Sequence, residues 1–90
     1  MDEAVNPKIE EDIRRIAGQV GRVRAVEKCR IRKSGYGYFT ELHVEVDGHM
    51  TVIEGHDIAH RVKDALLKSD IKILDATIHI EPFHGSYAVK

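Results

Sequence analysis

The chain has 90 residues and a mass of 10.2 kDa, enough for one small domain with a thin core and too few for two. Apolar residues make up 42% and charged residues 32%, a balance that excludes general disorder. Lys and Arg number 14 against 15 Asp and Glu, a net charge of −1 that gives no global basic signal for nucleic acid.

Residues 1–6 read as a flexible lead. Asn6 is a good N-cap and Pro7 suits the first helical position, so a helix is predicted over about residues 7–19. Ile9, Ile13, Ile16, Ala17 and Val20 give it one apolar face, and Gly21 can end it. Val23 to Lys33 reads as a strand in which Cys29 and Ile31 alternate with Arg30 and Arg32. The alternation slips between Val23 and Cys29, which predicts a bulge or a late start. After the turn at Ser34-Gly35 comes the clearest strand. Tyr38, Thr40, Leu42, Val44 and Val46 point to the core, while Phe39, Glu41, His43, Glu45 and Asp47 point away.

Thr51-Val52-Ile53-Glu54 reads as a capping box that opens a second helix, with Ile58, Ala59, Val62, Ala65 and Leu66 as its buried stripe. It is predicted to end near Lys68 or Ser69. Ile71 to Glu81 is the third strand, with Ile78 and Ile80 on one face and Thr77, His79 and Glu81 on the other. Residues 7–83 form the domain and 84–90 read as a loose tail. Two helices cannot cover both faces of a three-stranded sheet. The predicted fold is therefore α+β, an αββαβ open sandwich of ferredoxin-like type with both helices on one face.

That architecture leaves one sheet face bare, and the chemistry concentrates there. No apolar run approaches the ~20 residues of a membrane-spanning helix, and the acidic start lacks the layout of a secretion signal. One cysteine, Cys29, forms no internal disulfide and reads as a small core residue. Six histidines are many for so small a domain. His43, His79 and Glu81 share the uncovered face, and two imidazoles with a carboxylate suit zinc and other divalent first-row ions. The facing follows from the alternation but the pairing register does not, and the same residues also suit an ordinary wet sheet face.

His56 and His60 lie one helical turn apart on one helix face. A zinc-protease motif needs Glu where Asp57 stands and a third ligand that is not evident, so that reading is rejected. The pair reads as solvated rather than as a self-contained site, with His56 the better ligand because the helix opening can bring it toward the sheet edge. Arg22, Arg24, Lys28, Arg30, Arg32 and Lys33 against Glu27 form a local basic stretch beside Tyr36, Tyr38 and Phe39. It suits single-stranded nucleic acid or anionic lipid, but a solvated strand face beside acidic neighbours explains it as well. No nucleophile–base spacing and no glycine-rich phosphate loop is visible, so an enzyme is not expected.

Four segments in order carry a resemblance. They are Arg30-Ile31-Arg32-Lys33-Ser34-Gly35, then Phe39 to Asp47, then Glu54-Gly55-His56-Asp57-Ile58-Ala59, then Ile78-His79-Ile80-Glu81-Pro82. Together they resemble the cytoplasmic C-terminal domain of cation diffusion facilitator transporters, collinear from Ile9 to Phe83. The resemblance implies a metallochaperone-like fold, a V-shaped homodimer and a place on the cytoplasmic side of a membrane, below the transporter's transmembrane domain. It implies that His43, His56, His79 and Glu81 bind a divalent cation, zinc foremost. Glu27 stands where some relatives carry a histidine ligand, which opens the set to manganese or iron. His60 stands where an acidic residue is frequent and is a weaker candidate. The expected role is a regulatory domain that dimerises and senses divalent cations. A dimerisation module without a metal site is the alternative, followed by a nucleic-acid-binding domain.

Overall fold

A computed structural model describes residues 5–83 of the chain. Its elements run α1 (Pro7–Gly18), β1 (Ala25–Ser34), β2 (Gly37–Val46), α2 (Val52–Leu67) and β3 (Ile73–Pro82). The αββαβ order matches the expectation, and the predicted tail lies outside the described residues.

Local signals set the boundaries. The Asn6 side chain accepts from the Lys8 amide at 2.9 Å, and Pro7 follows at the helix start. At α2 the capping box is complete. Thr51 Oγ1 accepts from the Glu54 amide at 3.0 Å, and Glu54 Oε1 accepts from the Thr51 amide at 2.8 Å. Gly35, with φ +61°, supplies the left-handed residue of a two-residue hairpin between paired Ser34 and Gly37.

The three strands form one sheet in the order β1-β2-β3. β2 runs antiparallel to β1 and parallel to β3, so the strand with the clearest alternation is the central one. Its inward residues Leu42, Val44 and Val46 meet Ile13 and Ala17 of α1, Ile58, Val62 and Leu66 of α2, and Ile73 and Ala76 of β3 in one buried cluster. Both helices share that core, which leaves the opposite sheet face without a layer.

Two irregularities interrupt the ladders. On β1, Val26 pairs with Val44 and Lys28 with His43, so Glu27 is an extra residue in a bulge. The helix stabilises this bulge, because Arg14 donates from Nη1 to the Val26 carbonyl at 2.7 Å while Glu10 holds its Nε at 2.9 Å. The slip seen in the sequence is thus both a late start, at Ala25, and a bulge. On β3, Tyr38 pairs with Ile73 but Phe39 with Asp75, which makes Leu74 the extra residue. β3 begins at Ile73 rather than Ile71, because Ile71 belongs to the turn after α2, where its amide donates to Ser69 Oγ at 3.3 Å.

Candidate metal centre

The uncovered face is built from the register. In the parallel ladder His43 of β2 lies directly beside His79 of β3, and Glu45 lies beside Glu81. The rings of His43 and His79 stack at 4.7 Å between centroids with a 35° tilt. His43 Nδ1 lies 2.7 Å from Glu81 Oε2, and His79 Nε2 lies 2.8 Å from Glu41 Oε2. Two imidazole–carboxylate pairs therefore cross the β2–β3 boundary in opposite senses. Each pair joins strands two positions out of step, so the four side chains interlock rather than stand in a row.

The bulge on β1 adds a fifth group. The Glu27 carboxylate offers an oxygen that, with one ligand atom each from His43 and Glu81, forms a trio within 4.8 Å of one another. Glu41, His43 and His79 form a second trio within the same limit. His43 belongs to both. A bulge sends its extra residue out of the regular alternation, and here that places Glu27 beside the face of β2 that carries His43.

The electrostatics suit a cation. With neutral imidazoles, Glu27, Glu41 and Glu81 bring three negative charges to the cluster. The hydrogen bond from His43 holds the Glu81 carboxyl below the usual carboxylate range, against some desolvation, with smaller help from the charge of His43. Glu81 is thus an anion wherever its imidazole neighbours are neutral enough to ligate. If His43 donates its Nδ1 proton to Glu81, its Nε2 lone pair points free, the arrangement in which outer carboxylates orient metal-bound histidines. If a cation takes Nδ1 and the Glu81 oxygen instead, the Glu27 trio is used. The two modes compete for one imidazole.

The remaining candidates lie elsewhere. His56 and His60 face each other on α2 and line a cleft with Lys63, Asp75 and Thr77 at the β3 edge. Among the described residues neither His56 nor His60 belongs to either trio. His56 also lines a cavity with Ile78, Ile80 and Glu81 of β3, which sets it at the sheet edge. Cys29 pairs with Leu42 on the core side, and burial pushes its thiol up, which keeps it a core residue. Glu41 is the residue that sequence reasoning left out of the ligand set. Its facing was visible in the alternation, but its partnership with His79 depends on the parallel register.

A family model described as the cytoplasmic domain of cation efflux proteins matches residues 5–83, the described residues from end to end. The chain belongs to that family. Among the relatives of this cation efflux domain, the manganese efflux system protein MneP of Bacillus subtilis (strain 168) is 23% identical over 83 residues. That match covers 92% of this chain and 28% of MneP. Metal tolerance protein 2 of Oryza sativa subsp. japonica is 31% identical over 80 residues, 89% of this chain and 21% of the relative. The domain thus spans less than a third of the length of these curated relatives.

Solved structures of the MamM C-terminal domain share the fold. A doubly substituted variant superposes with a TM-score of 0.83 at 25% identity, covering 86% of this chain and 93% of that one. Another variant, in a cadmium form, gives a TM-score of 0.81 at 26% identity over 84% of this chain and 95% of that one. Among the described residues no helix is long and apolar enough to cross a membrane.

Proposed function

We propose that this cation efflux domain is the homodimerising, metal-sensing part of a divalent-cation efflux transporter. The observation that carries the reading is His43, placed by the sheet register at the centre of two overlapping ligand trios on the face that no helix covers. The names of the relatives support the cargo class: one is a manganese efflux system protein, and one solved neighbour is a cadmium form.

The ligands are His43, His79, Glu81, Glu41 and Glu27. Two imidazoles favour zinc, and three carboxylates admit manganese or iron(II). His56 and His60 would join this cluster only from a second copy of the chain, because in one chain they stand on α2. The mechanism is charge neutralisation. Carboxylates concentrated on the bare face repel their counterparts in a second copy, and a bound dication cancels that repulsion. A cation that binds the closed dimer better than the open one shifts the population toward closing by RT ln(1 + [L]/Kd). With free cation at about 100 times Kd that term is about 2.7 kcal/mol. In the longer protein this closing would tune efflux to cytosolic metal.

Small-angle scattering and sedimentation on the 90-residue chain, with and without zinc or manganese, test the reading. It expects a dimer whose radius of gyration falls on metal addition. A monomer at high concentration, or a radius that ignores metal, would reject it. A second reading has one observation in its favour: the His43–Glu81 and His79–Glu41 pairs already satisfy these side chains without a cation. A dimerisation module of that kind predicts a melting temperature indifferent to zinc and chelator alike.

A further inference from the structure

The basic stretch that the sheet-face cluster does not use collects at one end of the molecule. The cations within the two helices are paired: Lys8 and Arg15 with Asp12, Arg14 with Glu10, Arg61 with Asp57 and Lys63 with Asp75. Arg30, Arg32 and Lys33 of β1 and Lys72 ahead of β3 are exposed, and among the described residues they hold no carboxylate. They lie around the tip of the β1–β2 hairpin. Tyr36 sits in that tip, 82% exposed, with Lys72 Nζ 5.6 Å from the centre of its ring. Leu74, 40% exposed, lies against Gly37. We propose that this end is a membrane-surface contact. It docks hairpin first on an anionic bilayer, with the cations against lipid phosphates and Tyr36 at headgroup level.

Three observations carry it. The first is polarity along one sheet face. Arg30 and Arg32 stand beside Glu41 and Phe39 toward the hairpin, whereas Glu27 and Glu81 gather with His43 toward the other end. Near the hairpin Glu41 is held by His79 and Asp75 by Lys63, which leaves Asp70 in the turn ahead of Lys72. A chain of net charge −1 thus keeps its unpaired positive charge at one end, and an anionic surface attracts that end and repels the other. The second is the company of charge and apolar surface. A merely solvated basic face needs no exposed ring or leucine at its tip, whereas an interfacial contact combines both with cations. The third is what covers the rings. Arg32 lies 4.8 Å from the centre of the Phe39 ring, as Lys72 does 5.6 Å from that of Tyr36. Single-stranded nucleic acid stacks its bases on open aromatic faces, and here each ring already carries a cation. Lipid phosphates reach the same cations and leave the rings as they are. The tip is also preformed. Gly35 closes the hairpin with φ +61°, and the Tyr38 amide donates to the Lys72 carbonyl at 2.9 Å, tying the turn before β3 to the hairpin. Docking therefore orders little chain.

The test is vesicle co-sedimentation of the 90-residue chain in chelator, on phosphatidylcholine alone and on phosphatidylcholine mixed with phosphatidylglycerol. Each Lys or Arg near an anionic surface contributes about fivefold in partitioning. The Arg32→Gln/Lys33→Gln/Lys72→Gln variant should therefore lose on the order of 100-fold on the mixed vesicles. Arg32→Lys/Lys33→Arg/Lys72→Arg, which keeps the charge, should retain binding, and thermal melts of both variants guard against a folding artefact. Wild type should ignore phosphatidylcholine alone and should leave the mixed vesicles as salt rises. The chain has no tryptophan, so Tyr36→Trp supplies a single reporter whose emission should shift to the blue on mixed vesicles only. A wild type that ignores the mixed vesicles would overturn the proposal, as would a glutamine variant that binds them equally or a Tyr36→Trp emission that they leave unchanged. A single-stranded oligonucleotide that bound through Lys33 and Lys72, with vesicles inert, would assign the patch to nucleic acid instead. None of Lys33, Tyr36 and Lys72 belongs to either metal trio, so this outcome is separate from that of the sheet-face reading.

Discussion

The shared position of His43 has a quantitative consequence. The two trios compete for one imidazole, so the observed binding constant is the sum of two alternatives. Removing His79 abolishes the Glu41–His43–His79 trio and leaves Glu27–His43–Glu81 with three ligands. If the two bind equally, the His79→Ala loss is only about twofold, roughly 0.4 kcal/mol. Glu81→Gln destroys the other trio and also removes the carboxylate that orients His43 in the first, so its loss exceeds that of His79→Ala. His43→Ala cuts both trios to two ligands. Loss even of an outer partner costs on the order of 10- to 100-fold in metal affinity, so losing a direct ligand from both alternatives costs at least that, about 1.4–2.7 kcal/mol. The His79→Ala/Glu81→Gln double variant should therefore lose far more than the product of its single losses. The assay is zinc and manganese calorimetry with a competing chelator, run on the four variants in one buffer. If His79→Ala costs as much as His43→Ala, the cation sits in a single site around His79 and the overlapping-trio reasoning fails.

The packing and the charges set further outcomes. A Cβ on Gly37 would lie 2.5–3.0 Å from three atoms of the Leu74 side chain, so Gly37→Ala should destabilise by about 1–3 kcal/mol in urea unfolding. Adding Leu74→Ala should recover most of that loss; additive losses would show that the contact is not the cause. Gly55 lies inside α2, and its added Cβ meets Ile80 at 3.5 Å and Met50 at 3.8 Å, ordinary contacts. Gly55→Ala should stabilise by about 0.5–1 kcal/mol, and a fall in the denaturant midpoint would contradict the assigned space. The Glu81 carboxyl is held low by His43, so it binds protons less readily folded than unfolded. Its contribution to stability is present above the ordinary carboxylate range and is lost as pH falls through its lowered folded value. Glu81→Gln should flatten the acid limb of the stability–pH curve; an unchanged limb would mean that the pair contributes nothing to the fold.

The elements and the faces were legible because each had a local cause. Asn6-Pro7 and the Thr51–Glu54 box mark helix starts by satisfying free amides, and β2 alternates from Thr40 to Val44. Register was not legible, because it depends on pairing between distant segments. The alternation turns both His43 and His79 outward, yet only the parallel ladder sets them side by side and brings Glu41 to His79. The slip in β1 was visible, but that the extra residue is Glu27, tied by Arg14 of α1, is a tertiary fact. The Leu74 bulge was hidden because Ile73-Leu74 reads as a plain apolar run, and Gly37 opposite makes room for it. Sequence reasoning puts His56 near the sheet edge, where it does line cavities with β3, but its contact with His60 follows from the helical spacing alone.

Anomalous diffraction from crystals of the 90-residue chain grown with zinc or manganese addresses the central claim directly. The account predicts a peak on the uncovered sheet face, at bonding distance from His43 and from carboxylate oxygens of Glu81 with Glu27, or of Glu41 beside His79. A dimer whose sheet face carries no peak at saturating metal would contradict it.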